Sequence, residues 1–355
     1  MFTVAIENAF DFGSSEYQLL LDRSAASAFQ SLSWLGPLYR VLAPALGAEP
    51  LILVAREAAT GALVMVLPLV RRRRHGLRLI EFADLEVSDY ACAVCEPAWF
   101  EALAADDGAQ QALRRLLQPF DLLRIKKAPE WTTPAERLLR GARRTAFGAS
   151  AHTAALYAPF EQWQAQELSS TLVKELRKKR RQLDRMGAVR LDHVDEAEAQ
   201  EELLGHLQDL RGRRFPDDLL GQAGYLDFYR AVARAGAKSG FARGYSLSLD
   251  GERLGGVWGL SWKRRFLVLI SGFDYAAYRR QSLGSLAFEE VARDCILRGD
   301  EVLDFGMGDE AYKGQFGAKP IALYTLSAYG TGLGFLAGAV ASGKAALTRV
   351  AEPAA

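Results

Sequence analysis

The sequence predicts an α/β protein of two domains, each with a mixed β-sheet flanked by helices. The chain has 355 residues, more than one ordinary domain of roughly 100–200 residues. Half of the residues are hydrophobic and a quarter are charged, which is typical of a folded globular protein. Helical and strand-like segments also follow one another in the same order in the two halves. We therefore expect one α/β unit to occur twice.

The first half combines strand-like and helical segments with one clear hairpin. Two apolar, β-branched runs flank a turn at residues 58–61, which predicts a β-hairpin with a long second strand. The other predicted elements are strands at 2–6, 77–82, 121–128 and 153–158 and helices within 25–46, 99–117 and 134–143.

The second half repeats this order of elements. Residues 241–273 predict three strands, with Asp250 and Gly251 forming the turn of a hairpin. A helix at 283–298 and a strand at 301–306 follow. The other predicted elements are strands at 187–194 and 321–329 and helices at 196–213 and 225–239.

Between the halves lies a helix with one apolar and one basic face. Ser169 or Ser170 caps its start, and apolar residues then recur at helical spacing. The boundary between the domains falls near this helix. The predicted parts of the chain are a first domain at 1–165, a linker helix at 166–186, a second domain at 187–332, and a C-terminal helix and tail at 333–355.

Several segments occur in an order that resembles one enzyme family. They are FQSLSWL, LPLVRRRRHGLR and VSDY in the first half and, in the second half, the linker helix, the Asp-Gly hairpin, DYAAYRRQSLGSLAFEEVARDCILRGDEVLDFG and DEAYKGQFGAKP. The chain thereby resembles the GNAT acetyltransferases of the cellulose-biosynthesis (CelD/BcsL-like) type, which are related to the Fem peptidyltransferases. The resemblance implies a tandem GNAT fold, in which the sheet splays at a β-bulge between its fourth and fifth strands and an acyl-CoA arm lies in the splay.

The resemblance also implies a phosphate-binding loop at the start of the helix at 283–298. The family signature is Gln or Arg, two residues, Gly, one residue, and Gly or Ala. Gln281 and Gly284 fit it, whereas Leu286 stands where a small residue is expected and is predicted to crowd the phosphate. Free amides at a helix start favour phosphate binding, and the alternative is an ordinary helix start. The predicted cofactor-binding residues are Arg279, Arg280, Gln281, Ser282, Gly284 and Ser285.

The predicted catalytic residues lie close to this loop in the sequence. Tyr312-Lys313 is similar to the aromatic-Lys pair of Fem-type enzymes, which implies a lysine that stabilises charge at the acyl carbonyl or orients the acceptor. The alternative is that Lys313 pairs with Asp309 or Glu310 and holds the loop. A base and a general acid are also needed, with Asp274, Asp309 or Glu310 as the base and Tyr278 or Tyr312 as the acid. The catalytic candidates are Asp274, Asp309, Tyr312 and Lys313.

Acceptor binding is assigned to residues expected near a cleft between the halves. Domain clefts are preferred ligand sites, and the family carries residues similar to Asp89-Tyr90 and to Arg213-Arg214-Phe215. The predicted acceptor residues are Asp89, Tyr90, Arg214 and Glu310. The first domain is expected to shape the acceptor pocket without binding the donor, because the run 67–77, taken as its counterpart of the phosphate loop, has only Gly76.

The sequence contains two basic clusters but does not identify what they bind. They could hold CoA, a nucleotide-linked sugar, a lipid-linked acceptor or tRNA, or they could be solvated faces. The net charge is only +1, which does not indicate a general nucleic-acid binder, and DNA is not an expected partner. The clusters are Arg71 to Arg74 with Arg78, and Lys174, Arg177, Lys178, Lys179, Arg180, Arg181 and Arg185 on the linker helix.

Metal and nucleophile chemistry find no support in the sequence. Cys92 and Cys95 form a C-x-x-C without a second ligand pair, so they are interpreted as small core residues. The four His are scattered, and no GxSxG, HExxH or Walker motif is present. We expect no metal. The N-terminal segment lacks a leader pattern and no run is long enough for a transmembrane helix, which favours the cytoplasm.

The predicted function is acyl transfer from acetyl-CoA or another acyl-CoA to an amine or hydroxyl. The acceptor is expected to be a sugar, a polysaccharide precursor or an amino compound. One alternative is a Fem-like transfer from aminoacyl-tRNA to a cell-wall precursor, which the basic linker helix favours. Another is a non-catalytic GNAT pair that binds a partner of polysaccharide synthesis, which Leu286 and the lack of a clear catalytic base favour.

Overall fold

The structure is a computed structural model that describes residues 1–132 and 135–339. Backbone contacts divide these residues into two compact units. Unit 1 comprises Met1–Ala149 and the chain from Ala322 onward, and unit 2 comprises Ser150–Ile321.

The elements up to residue 149 include a long β-hairpin and several short helices. Within the helical pattern expected at 25–46, residues 28–30 form a 3₁₀ turn and residues 32–45 are helical throughout, as two short α-helices on either side of a π-helical segment at Leu38–Leu42. The elements are β1 (Phe2–Ile6), α1 (Ser15–Arg23), α2 (Leu32–Pro37), α3 (Ala43–Ala45), β2 (Glu49–Glu57), β3 (Leu63–Arg74), β4 (Leu77–Phe82), β5 (Val94–Cys95), α4 (Pro97–Ala105), α5 (Asp107–Leu117), β6 (Leu122–Pro129), α6 (Ala135–Leu138) and β7 (Arg143–Ala146).

The elements after residue 149 are longer and more regular. They are β8 (Ala151–Ala155), α7 (Phe160–Glu167), α8 (Ser170–Asp184), β9 (Val189–Val194), α9 (Ala197–Arg214), α10 (Tyr225–Gly236), β10 (Ala242–Leu249), β11 (Glu252–Trp262), β12 (Arg265–Phe273), α11 (Leu283–Leu297), β13 (Val302–Met307), α12 (Ala311–Gln315), β14 (Lys319–Ile321) and β15 (Leu323–Tyr329). Residues 332–339 are also helical, and the rest of the predicted C-terminal helix and tail lies outside the described residues.

Each unit is built around one mixed sheet. In unit 1 the strand order is β1-β2-β3-β4-β6-β15-β7, with β5 paired to β3. In unit 2 the order is β14-β8-β13-β12-β11-β10-β9. One parallel pair lies inside each sheet, β4 with β6 in unit 1 and β12 with β13 in unit 2. Strands β1, β2, β3, β4 and β6 of unit 1 therefore have the same order and relative directions as β9, β10, β11, β12 and β13 of unit 2, as the repeated element order predicts.

The units exchange strands relative to the predicted domain limits. β8 lies within the predicted first domain but is hydrogen-bonded to β13 in the sheet of unit 2. β15 lies within the predicted second domain but pairs with β6 in the sheet of unit 1. α8 is not a separate linker, because Leu172, Leu176 and Leu183 are buried in the core of unit 2. A strand's apolar pattern shows that it is half buried but not which sheet it joins.

The sheet of unit 2 opens in the way that the resemblance implies. β12 and β13 pair only from Arg265–Val302 to Leu267–Asp304 among the described residues, and beyond that point they diverge. A bulge in β12 begins at the same place, because Val268 faces Gly259 while Ile270 faces Trp258. The bulge bends the strand and redirects its free edge. The gap between β12 and β13 is the splay of unit 2.

No helix in the described ranges is long and apolar enough to cross a membrane.

Candidate functional site

Two adjoining cavities open at the splay of unit 2. The first has a volume of about 380 Å³ and the second about 450 Å³, and both are lined by Leu210, Arg214, Phe273 and Tyr275. The first cavity reaches from the end of β12 to α11 and the loop after β13. Its further lining residues are Arg211, Phe215, Ser271, Gly272, Gly284, Ser285, Phe288, Glu310 and Tyr312.

The free edge of β12 presents backbone donors to the splay. The Asp274 amide donates to the Leu254 carbonyl at 2.8 Å. Antiparallel neighbours alternate between hydrogen-bonded and non-hydrogen-bonded pairs, so the amides of Ser271 and Phe273 point away from β11. The Ser271 carbonyl is directed the same way and accepts a hydrogen bond from Arg211 Nη1 at 3.0 Å. An extended ligand lying along β12 can therefore pair with this edge.

The start of α11 lies beside the same cavity and offers four amides. Ser282 has a left-handed backbone (φ 53°) and precedes the helix. The Leu286 amide is the first that donates back, to the Ser282 carbonyl at 3.1 Å. Within the described part of the chain, the amides of Ser282, Leu283, Gly284 and Ser285 have no backbone or side-chain acceptor. Together with the helix dipole, they form a site that suits a phosphate group.

Gly284 and Leu286 have different environments on this helix. A Cβ on Gly284 would lie 3.1 Å from Tyr275 Oη, so the glycine leaves room at the cavity wall. Leu286 is 1% exposed and packs in the core of unit 2. The prediction that Leu286 crowds the phosphate is therefore wrong, because residues two apart on a helix face different directions.

The other predicted phosphate-loop residues form a turn before α11. Arg279 lines the second cavity, and the Arg280 carbonyl accepts a hydrogen bond from Lys179 on α8. The Gln281 amide donates to the Tyr278 carbonyl at 3.1 Å, whereas Ser285 lines the first cavity. The basic face of α8 thus reaches the loop, which sequence reasoning did not place there.

Tyr312 is one of two predicted catalytic residues that line the cavities: it lines the first, and Asp274 lines the second. The ring of Tyr312 stacks on Phe288, with centroids 5.5 Å apart and planes 4° from parallel. Burial raises the pKa of Tyr312 well above its usual value, and nearby Glu310 and Tyr275 add to the effect. The hydroxyl is protonated at neutral pH, as that of an ordinary tyrosine is, and can donate a proton.

Lys313 is turned away from the cavities and secures the loop. It is 2% exposed, and its Nζ donates to the carbonyls of Met307 and Gly308, both at 2.9 Å. Glu310 pairs with it at 2.8 Å. The structure favours the loop-holding alternative for Lys313, since its donors are already engaged.

The predicted carboxylates differ in position, because Asp274 lines the second cavity, Glu310 lines the first and Asp309 lines neither. Asp274 Oδ1 accepts from the amides of Ala276 and Ala277 at 3.1 and 3.0 Å and so closes the turn after β12. Asp309 accepts from the Ser150 amide at 3.2 Å and does not line either cavity. Glu310 lines the first cavity, and its side chain is 58% exposed.

Arg214 occupies the junction of the two cavities. Its guanidinium lies 4.6 Å from the ring centre of Tyr275 and 5.0 Å from that of Phe215. Both aromatic rings are substantially exposed. This arrangement places a cation between two aromatic faces where a ligand enters. Sequence reasoning selected Arg214 but missed Arg211 and Tyr275, whose only signal was their position beside Arg214 and Asp274.

Asp89 and Tyr90 lie in unit 1. Tyr90 is 1% exposed and makes an edge contact with Trp131, with centroids 4.9 Å apart. Asp89 lies in the electrostatic environment of Lys127. Tyr90 is thus a core residue.

The gap between β4 and β6, which corresponds to the splay of unit 2, is filled by residues 83–95. The Ala91 amide donates to the Lys127 carbonyl on β6 at 2.9 Å, and β5 pairs with β3. Lys127 Nζ donates to the Ser88 carbonyl at 2.9 Å and pairs with Asp84 at 3.3 Å. The counterpart of the phosphate loop is this segment after β4. The run 67–77, predicted for that role, instead belongs to β3 and the following turn.

Cys92 and Cys95 are both buried, which confirms them as core residues. No group of three or more His, Cys, Asp or Glu able to hold a metal occurs in residues 1–132 and 135–339.

Comparisons with known proteins agree with this geometry. Residues 170–314 match a family model described as an acetyltransferase (GNAT) domain. The crystal structure of FemX superposes with a TM-score of 0.63 at 10% identity, covering 93% of this chain and 97% of that one. L-PGS from Bacillus licheniformis superposes with a TM-score of 0.54 at 10% identity and covers 90% and 92%. A tandem GNAT protein from the clavulanic acid biosynthesis pathway gives 0.50 at 14% identity and covers 93% and 99%.

A search of curated protein sequences finds no match. The chain has a tandem GNAT fold, and residues 170–314 are the part that matches the GNAT domain model.

Proposed function

We propose that the chain is an acyltransferase that takes an acyl group from acetyl-CoA or another acyl-CoA and transfers it, in the cytoplasm, to an amine or hydroxyl. The observation that carries the proposal is the open splay between β12 and β13 next to the four free amides at the start of α11. A diphosphate and an extended arm both find partners there. Bound acyl-CoA supplies an activated thioester.

We assign different roles to the residues around the splay. The amides of residues 282–285 and the basic face of α8 hold phosphate charge. The amides of Ser271 and Phe273 are donors for the extended arm or for negative charge on an acyl oxygen. Tyr312, whose hydroxyl is protonated at neutral pH and lies in the wall of the first cavity, is the general acid toward a leaving thiolate. Glu310 is the carboxylate best placed to accept the proton of the acceptor.

The proposed acceptor is a sugar, a polysaccharide precursor or an amino compound. The resemblance to the cellulose-biosynthesis type supports a glycan precursor. Arg214 between Tyr275 and Phe215 supports a polar acceptor with a planar or anionic part, because aromatic rings and a guanidinium bind sugar faces and anions.

A second candidate is a Fem-like transfer from aminoacyl-tRNA, and the basic face of α8 favours it. Lys179 contacts the loop before α11, which brings this face next to the splay. Such a surface suits an RNA backbone as well as a coenzyme diphosphate. Its exposed basic residues are Lys174, Arg177, Lys178, Arg181 and Arg185. The non-catalytic alternative loses the support of Leu286, because this residue is buried in the core.

Calorimetric titration of acetyl-CoA into the intact chain and into Gly284→Asp tests the proposal. A carboxylate among the four amides repels a diphosphate, and we expect affinity to fall by about a hundredfold or more. Gly221→Asp is the matched control, since a Cβ there meets nothing within 4 Å and Gly221 lies outside both cavities.

Binding of tRNA without acetyl-CoA binding would support the Fem-like candidate instead. Failure to bind either ligand would leave the non-catalytic alternative.

A further inference from the structure

We propose that unit 1 carries a binding site for a phosphate-bearing ligand at the basic end of β3. A cavity of about 490 Å³ is present there, lined by Gly47, Glu49, Arg71, Arg72, Arg73, Arg78 and Pro119. This proposal concerns a different part of the molecule from the splay of unit 2 and does not depend on the proposed acyl transfer.

The strand register places three arginines on one face of the sheet. Arg71 and Arg73 are two residues apart on β3 and so point to the same side. Arg78 on β4 lies directly opposite Arg73 and shares that side. Arg72 points to the other face, where its Nε donates to Glu81 at 2.6 Å. The basic run thus divides into a paired face and a face that concentrates positive charge.

Only part of that charge is neutralised by the protein. Arg78 Nη2 pairs with Asp121 at 2.9 Å, and Asp121 also accepts from Thr331 at 3.0 Å. Arg71 and Arg73 have no carboxylate within 4 Å among the described residues. Glu49 lies opposite Arg71 on β2 but forms no ion pair with it in this part of the chain.

Arg71 also contains a buried donor without a partner. Its Nε is shielded from solvent and has no hydrogen-bond acceptor within the described ranges. A buried donor without an acceptor is costly, and a bound ion or water can satisfy it. Arg73 and Arg78 directly opposite each other add a like-charge cross-strand pair, which is destabilising by itself. A bound anion would satisfy the donor and relieve this repulsion.

The ligand chemistry follows from the residue type. A guanidinium offers planar donors that match phosphate oxygens in pairs, and several of them around a concave wall select a multiply charged phosphate over a single carboxylate. A volume of about 490 Å³ accommodates a diphosphate and part of what it is attached to. The phosphate could belong to a soluble metabolite or to an anionic lipid headgroup.

Titration with inorganic pyrophosphate tests the site, with the ¹⁵N–Hε signal of Arg71 as the local readout. The titration uses the Gly284→Asp chain, so that the loop of unit 2 does not contribute. We expect a saturable shift of this signal, and we expect Arg71→Gln to weaken binding by about tenfold or more. Arg74→Gln is the matched control, because Arg74 is exposed on the same strand and lies outside the cavity.

Binding to vesicles that contain phosphatidylglycerol distinguishes an anionic lipid headgroup from a soluble metabolite as the source of the phosphate. Vesicle binding that needs Arg71 and is displaced by pyrophosphate assigns the phosphate to a lipid headgroup, whereas pyrophosphate binding without vesicle binding assigns it to a soluble ligand. An unchanged Arg71 signal, or equal pyrophosphate affinity in the chain with and without Arg71→Gln, would overturn the proposal.

Discussion

The splay of unit 2 is open, whereas the corresponding gap of unit 1 is filled by the chain itself. In unit 2 the chain passes from β12 to α11 through residues 274–282, which form turns and leave the edge of β12 free. In unit 1 the chain leaves β4 and returns into the gap, where Ala91 bonds to β6 and β5 pairs with β3. The segment after the fourth strand therefore decides whether this fold can hold an extended ligand.

The filled gap also contains buried charges and unusual backbone. Lys127 is 2% exposed, and its neighbours Asp84 and Glu86 pair with it. Leu85, Glu86 and Lys127 all have positive φ angles, which cost free energy outside glycine. An ion pair that persists in such a setting stabilises the filled gap only while both partners are present.

Among the variants that test this comparison, removal of Lys127 is expected to have the largest effect, which is on the free energy of unfolding. Lys127→Met leaves Asp84 buried without its partner, and the free energy of unfolding should fall by about 3–5 kcal/mol. Chemical denaturation measures it. Lys126→Met is the matched control, because Lys126 also pairs with Glu86 but at the surface, and its loss should be about 1 kcal/mol or less. Equal losses in the two variants would contradict a structural role for the buried cluster.

Removal of the Tyr312 hydroxyl should mainly affect turnover. Tyr312→Phe keeps the ring that stacks on Phe288 but deletes the proton donor, so turnover should fall by about a hundredfold with acetyl-CoA affinity unchanged. Release of the CoA thiol in the presence of a sugar amine such as glucosamine measures the rate. Tyr278→Phe is the control, since Tyr278 packs against the core of unit 2 and does not line either cavity. A comparable loss in the control would remove Tyr312 from its proposed role.

The filled gap should also make unit 1 sensitive to acid. Burial opposes ionisation of Glu86, but Lys126 and Lys127 outweigh it and lower the pKa of Glu86 to about 2. Because the folded-state pKa lies below the ordinary value of 4.5, the stabilisation is present above pH 4.5 and is lost as the pH falls toward 2. The free energy of unfolding, measured by denaturation at several pH values in this interval, should depend less steeply on pH in Glu86→Gln than in the unaltered chain. The same dependence on pH in both would show that Lys126 and Lys127 do not stabilise the ionised Glu86.

The smallest effect is expected at Leu286. Leu286→Met preserves volume in the core, so stability should change by less than about 1.5 kcal/mol and acetyl-CoA affinity by less than about twofold. Calorimetry and thermal unfolding measure the two quantities. A large loss of affinity with intact stability would mean that this side chain faces the ligand after all.

The sequence predicted most of the elements but not how the strands are shared. The hairpin of β2 and β3, the turn at Asp250-Gly251 and the amphipathic α8 follow from local pattern and turn chemistry. The exchange of β8 and β15 between the predicted domains depends on pairing across long sequence separations, which leaves no local signal. Because this long-range pairing leaves no local signal, the run 67–77 was taken for the counterpart of the phosphate loop in unit 1.

The direction in which side chains point was the second feature that could not be predicted from the sequence. Gln281 and Gly284 were found by their spacing, but the buried environments of Leu286 and Lys313 depend on helix phase and on the carbonyls of β13. Arg211 and Tyr275 carry no motif, because they meet only when α9 packs beside the end of β12.

Backbone amide hydrogen exchange with and without acetyl-CoA tests most directly whether the donor binds in the open splay. We predict that acetyl-CoA slows exchange at residues 282–285 and at Ser271 and Phe273 in unit 2 and leaves residues 83–95 of unit 1 unchanged. Protection of residues 83–95, or saturating acetyl-CoA without protection of residues 282–285, would contradict the account.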